Sequence, residues 1–187
     1  MQKLTLNLKS GSVNWNSLAH KIKRFVLLCL FAMLTFALSG LSSSAQEVKE
    51  FGKMLAAMKA STDVAVSSQA SKLESLVYEL HPSVNIQERI VSTFAEAPFI
   101  CVDIDAQSVS KLKDVNPLFS HAELLTIRIN NQNDLNMALD LASLKGFSNL
   151  KYINFICSFE CSPEQVSKLI KTSDTKIIVS YLVSVPS

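Results

Sequence analysis

Four short segments in the C-terminal half of this chain repeat one pattern of apolar residues. Phe99-x-x-Val102-x-Ile104-x-x-Gln107, Leu124-x-x-Ile127-x-Ile129-x-x-Gln132 and Leu150-x-x-Ile153-x-Phe155-x-x-Ser158 superimpose, and Lys176-x-x-Val179-x-Tyr181-x-x-Ser184 is a degraded copy. The steps from Phe99 to Leu124, Leu150 and Lys176 are 25, 26 and 26 residues. A fixed period of this size points to one supersecondary unit stacked on copies of itself. Alternation of apolar and polar residues marks a strand. The expected fold class is α/β. Val102, Ile104, Ile127, Ile129, Ile153 and Phe155 are expected to face inward. Asp103, Asp105, Thr126, Arg128, Asn130, Tyr152 and Asn154 are expected on the opposite face.

These segments resemble the leucine-rich-repeat pattern L-x-x-L-x-L-x-x-N over roughly residues 98–184. The resemblance is irregular. Gln107, Gln132, Ser158 and Ser184 stand where the family has its turn-bonding asparagine, and β-branched or aromatic residues replace most leucines. It implies short parallel strands, each followed by a helix or irregular crossover, in irregular βα repeats over 98–187, and a binding role. The alternative is an open α/β sheet whose βα units are of similar length. In the crossovers, Val109, Leu112, Val115 and Leu118 follow a helical spacing, as do Leu135, Leu139 and Leu141–Leu144. Ser162-Pro163-Glu164-Gln165 reads as a cap and first turn. Residues 46–97 form an N-terminal helix and capping segment, in one domain with the repeats. Val48, Phe51, Leu55 and Met58 share a helix face, Ser67 to Ser71 reads as a polar linker, and Lys72 to Leu80 fits helix or strand. Glu88 to Phe94 reads as a strand leading to Pro98.

Residues 1–45 carry no acid, only Lys3, Lys9, Lys21, Lys23 and Arg24, followed by the apolar run Phe25 to Leu38. A basic stretch, a short apolar run and small residues before a cut are the parts of a signal peptide. Ser43 and Ala45 place cleavage before Gln46, which would then cyclise at the new N-terminus. The alternative is an uncleaved anchor. The expected destination is periplasmic or extracellular, with membrane contact only through the signal during export. The whole chain carries +2, but past residue 45 thirteen cations face sixteen acids, about −3. The basic balance therefore belongs to the leader and does not point to nucleic acid.

Past the leader the cysteines are Cys101, Cys157 and Cys161. Export permits disulfides. Cys157 and Cys161 are the candidate local pair, with two free thiols as the alternative. Cys101, two strands away, is too distant to bridge. His81 and His121 have no neighbours at metal-ligand spacing, and no phosphate loop, G-x-S-x-G or H-E-x-x-H occurs. No cofactor or metal is expected. The expected role is non-catalytic binding of a protein or glycan on an open sheet face through Asp103, Asp105, Arg128, Asn130, Tyr152 and Asn154. In the expected register Asp103, Arg128, Asn154 and Ser180 form one row. A thiol-active protein using Cys157 and Cys161, and a structural envelope component, are the other classes.

Overall fold

The computed structural model describes residues 46–185; the expected signal segment lies outside them. A mostly parallel seven-stranded sheet forms the centre. Its strands are β1 (Val48–Glu50), β2 (Ser83–Gln87), β3 (Ile90–Phe94), β4 (Cys101–Asp105), β5 (Leu124–Ile129), β6 (Tyr152–Cys157) and β7 (Ile178–Val183), in spatial order β1-β7-β6-β5-β4-β2-β3. All neighbours are parallel except the β2–β3 hairpin. The α/β class with short, mostly parallel strands is as expected.

Both faces of the sheet are covered, by different material. On one face Val84, Ile86, Val102, Ile104, Leu125 and Ile127 meet the crossovers through Val109, Leu112, Phe119 and Leu139, all buried. These crossovers are chiefly 3₁₀ turns at Ala106–Lys113, Pro117–Phe119, Gln132–Asn136 and Leu141–Ser143, where helical spacing had suggested longer helices. The cause is local: each turn begins on an Asp or Asn whose side chain accepts a nearby backbone N–H. Asp105 accepts from Ser108, Asn116 from Leu118, Asn131 from Asn133 and Asp140 from Ala142. Such side chains compete with the α-helical ladder and favour short turns. Val109 and Leu112 reach the core as the spacing suggested, whereas Val115 is exposed. The helix α3 (Pro163–Ser167) begins as expected, with a capping box between Ser162 and Gln165 and Pro163 in the first turn.

On the other face lie α1 (Phe51–Lys59) and α2 (Val64–Tyr78). Phe51, Met54 and Leu55 of α1, with Ala70, Leu73 and Leu76 of α2, pack on Leu124 and Tyr152. Asp63 caps α2 by accepting from Ala65 N–H at 2.8 Å. Ser67 to Ser71, expected as a linker, lies inside this helix. Its Ala70 sits on the buried stripe and its serines face outward or toward the edges of the contact. Lys72 and Lys151 both reach Glu123, Lys72 at 2.6 Å and Lys151 at 3.1 Å, which ties α2 to the start of β5 and β6.

Segments outside the sheet are fastened too. Gln46 donates from Nε2 to the Ile177 carbonyl at 3.0 Å and accepts from Asp174 N–H at 2.9 Å on Oε1. Cys157, buried at the end of β6, is bonded to Cys161, with Cα atoms 6.6 Å apart, and Cys101 is a free thiol. A loop this short gains about 2 kcal/mol from closure. Reduction should lower the unfolding free energy by about that amount, read from denaturant curves with and without reductant. Non-reducing peptide maps should join Cys157 to Cys161 and leave Cys101 alkylatable after unfolding. A link to Cys101 would overturn the pairing.

Candidate functional site

The register corrects the expected row across the sheet. Asp103 stands opposite Thr126, not Arg128, and Arg128 stands opposite Asp105. The polar row is Asn85, Asp103, Thr126, Asn154, Ser180 and Lys49. Arg128 lies one step further along the same face and reaches back diagonally to Asp103. Its Nε donates to Oδ1 at 2.8 Å and its Nη2 to Oδ2 at 2.6 Å. This is a two-pronged guanidinium–carboxylate pair. Hydrogen bonding to Asp103 is the main reason the Arg128 pKa is raised; burial opposes that rise.

The expected open face is open only in part. Tyr152 and Asn154 are 4 % and 1 % exposed, because α1 and α2 lie across the starts of β5 and β6. Both therefore leave the exposed site. Ser180 Oγ donates to Asn154 Oδ1 at 2.9 Å. Among the described residues, Asn154 Nδ2 is buried without a hydrogen-bond partner, an arrangement that typically costs about 1–3 kcal/mol. Burial foremost, then Glu123, pushes the Tyr152 hydroxyl pKa up, against a lowering by Lys72.

Asp103, Asp105, Arg128 and Asn130 remain together at least partly exposed, past the cover of α1 and alongside the end of α2. Asn85, Asp103, Thr126 and Arg128 border a groove of about 390 Å³, whose walls include Leu76, Leu80 and His81 from the end of α2 and Phe94 from β3. Arg128 also borders a second hollow of about 300 Å³, with Gln87, Glu88, Asp105 and Asn130. Leu80 on this groove is largely exposed and Phe94 about half exposed. Cys101 lines it as well. Burial first, then Asp103 and Glu123, raises the Cys101 thiol to about 11, so it stays protonated and a poor nucleophile near neutral pH. A larger cavity of about 480 Å³ lies between the helices and the β1–β7 edge, against Met54, Met58, Val66 and Ile178. The Asp103–Arg128 pair borders the smaller groove and not this one.

Compared with family models, curated proteins and solved structures, the chain matches none of them. The candidate site therefore stands on its geometry. Among the described residues no His, Cys, Asp or Glu cluster could hold a metal ion, and no helix is long and apolar enough to cross a membrane.

Asp105, expected as a binding residue, also holds the backbone. The β2–β3 turn places Glu88 and Arg89 at φ of 51° and 65°, the two left-handed positions that a tight hairpin demands and that side chains resist. Asp105 Oδ2 accepts from Glu88 N–H at 2.6 Å, and buried Ser108 accepts from Arg89 N–H at 2.9 Å. Sequence alone gave no sign of this clamp, since Asp105 and Glu88 meet only through the hairpin. Burial would raise the Asp105 pKa, but hydrogen bonds from Ser108 and Glu88 together bring it below 3.8. A carboxylate with a depressed folded pKa contributes stability above its unfolded pKa, and that contribution fades as pH falls toward the folded value. The stability advantage of the native chain over Asp105→Ala should therefore be constant above about pH 5 and shrink below 3.8. Urea melts of both proteins across that range check it; an advantage that persists unchanged at low pH would exclude the clamp.

Proposed function

We propose that this is an exported, non-catalytic binding protein that takes a protein or glycan in the groove between the end of α2 and the floor formed by β4 and β5. The observation that carries this reading is the Asp103–Arg128 pair, held in a fixed plane yet open to solvent on one side, with side-chain exposures of 20 % and 43 %. Beside it stand Asn85 and Thr126, and around it the apolar rim of Leu80 and Phe94. Oriented polar groups on an apolar-walled concavity suit ligands with both an apolar face and hydrogen-bonding edges, as sugar rings and peptide segments have. Arg and exposed aromatic side chains are also enriched at interfaces.

The export part of the reading rests on the acid-free, basic-then-apolar composition of residues 1–45, with removal near Ala45. The units from β4 to β7 are taken as degenerate leucine-rich-repeat-like units, supported by their 25–26-residue steps and by their sequence order across the sheet. Residues 46–97 are taken as their cap, since β2–β3 lies beside β4, the first unit. The thiol-active alternative would have to work through Cys161, which is partly exposed, because Cys157 is completely buried; the C-x-x-x-C spacing also lacks that of the redox motif.

The test is a titration of the protein with a panel of oligosaccharides and unstructured peptides, following backbone amide resonances. A ligand should shift Asp103, Thr126 and Arg128, and Arg128→Ala should weaken it at least tenfold. As an exposed pair, its loss should cost only about 1 kcal/mol or less in stability, so binding and folding can be read separately. Shifts confined to other surfaces, or affinity indifferent to Arg128→Ala, would remove this reading.

A further inference from the structure

The two edges of the sheet are unlike. β1 is three residues long and carries Lys49 and Glu50, features that blunt an edge. β3 is Ile90-Val91-Ser92-Thr93-Phe94, with no charge and no proline, and every residue is exposed. Ile90, Val91 and Phe94 are 69 %, 46 % and 47 % exposed, and among the described residues no strand pairs with its outer side. Edges of this kind are templates for another strand.

We propose that β3 pairs with the β3 of a second copy of this chain, antiparallel, with Ser92 on the two-fold axis, so that one sheet runs through both molecules. The backbone pattern selects this register. The turn at Glu88–Arg89 closes on the Gln87–Ile90 pair, so Ile90, Ser92 and Phe94 direct their N–H and C=O groups to β2. Val91 and Thr93 direct theirs outward. With Ser92 on the axis, Val91 of each copy meets Thr93 of the other and exchanges both hydrogen bonds, while Ile90 meets Phe94. The whole strand is paired, and the facing residues are β-branched and aromatic, the favourable cross-strand combinations.

The ends fit as well. Arg89 precedes the strand and Glu96 follows it, so antiparallel pairing brings the cation of one copy to the end where the acid of the other lies. Glu88 does not spoil this, because it borders the hollow with Arg128 and Asn130. A two-fold pairing of one edge is closed, and the short charged β1 edge does not extend it. A strand of this length buries less than a standard interface, so the dimer should be transient, with a dissociation constant on the order of 10–100 µM.

Trapping and sedimentation test it. Facing residues beside the axis approach closely enough for a disulfide. In a Cys101→Ser background, Ser92→Cys should oxidise to a covalent dimer, while Ser110→Cys, exposed on the first crossover, stays monomeric. Sedimentation of the protein at roughly ten times the expected dissociation constant should show a weight-average mass about 1.8 times the monomer's, and Ser92→Lys, which sets like charges face to face, should return it to monomer with its melting temperature retained. Should Ser92→Lys fold poorly, the cysteine trap decides alone. Failure of Ser92→Cys to cross-link, a mass that stays single, or a dimer that survives in well-folded Ser92→Lys would each overturn the proposal.

Discussion

Tyr152→Ala and Ile153→Ala should both destabilise the protein by several kcal/mol, although the two residues point to opposite faces of β6. Ile153 is fully buried against the crossovers, and Tyr152 is 4 % exposed beneath α1 and α2. Truncating a buried Ile typically costs about 2–5 kcal/mol, and a large aromatic about 3–5 kcal/mol, through lost burial and the cavity left behind. Chemical denaturation of the two variants measures this directly. An exposed tyrosine would cost no more than about 0.5 kcal/mol, so a near-neutral Tyr152→Ala would show that the helices do not sit on the sheet.

Phe51→Ala should rank with them, at about 3–5 kcal/mol. Phe51 opens α1 directly after β1, has no exposed surface, and meets the Tyr78 ring edge-on at a centroid distance of 5.6 Å. It thus joins the first turn of α1 to the last turn of α2. Its loss should show in hydrogen exchange as well as in global stability: amides of α1 and α2 should exchange faster than those of β5 and β6. Uniform acceleration through the whole sheet would show that the helices and the sheet open together.

The strands were legible because alternation is a local property. Val102, Ile104, Ile127, Ile153 and Phe155 all lie in the buried core, as their spacing indicated. Register was less legible for the same reason. Leu125, Ile127 and Ile129 are all buried, so sliding β5 by two residues preserves every inward apolar position, and only hydrogen bonding to β4 selects the pairing of Val102 with Leu125. The covering of Tyr152 and Asn154 is a tertiary event. Two signs of it stood in the sequence: Phe51, Met54 and Leu55 form an apolar stripe that must be buried somewhere, and Leu124, Tyr152 and Ile178 put large side chains on the nominally polar face. Ser67 to Ser71 misled through composition, because a helix half-covered by other structure can present serines outward while Ala70 packs inward. The expected row sets Asp103 and Arg128 directly across the sheet from each other, where the structure sets them diagonally.

The fastening of Gln46 bears on how a trimmed chain would begin. An N-terminal glutamine closes to a lactam when its own amine attacks the side-chain amide carbon, with ammonia leaving. That chemistry expels the amide nitrogen now given to the Ile177 carbonyl and turns the oxygen that receives Asp174 N–H into the carbonyl of the ring. Ring closure, expected from the sequence, would then proceed against the folded state. A chain cut before Gln46 and folded promptly would keep its glutamine open, held by the two bonds that fasten the loop before β7.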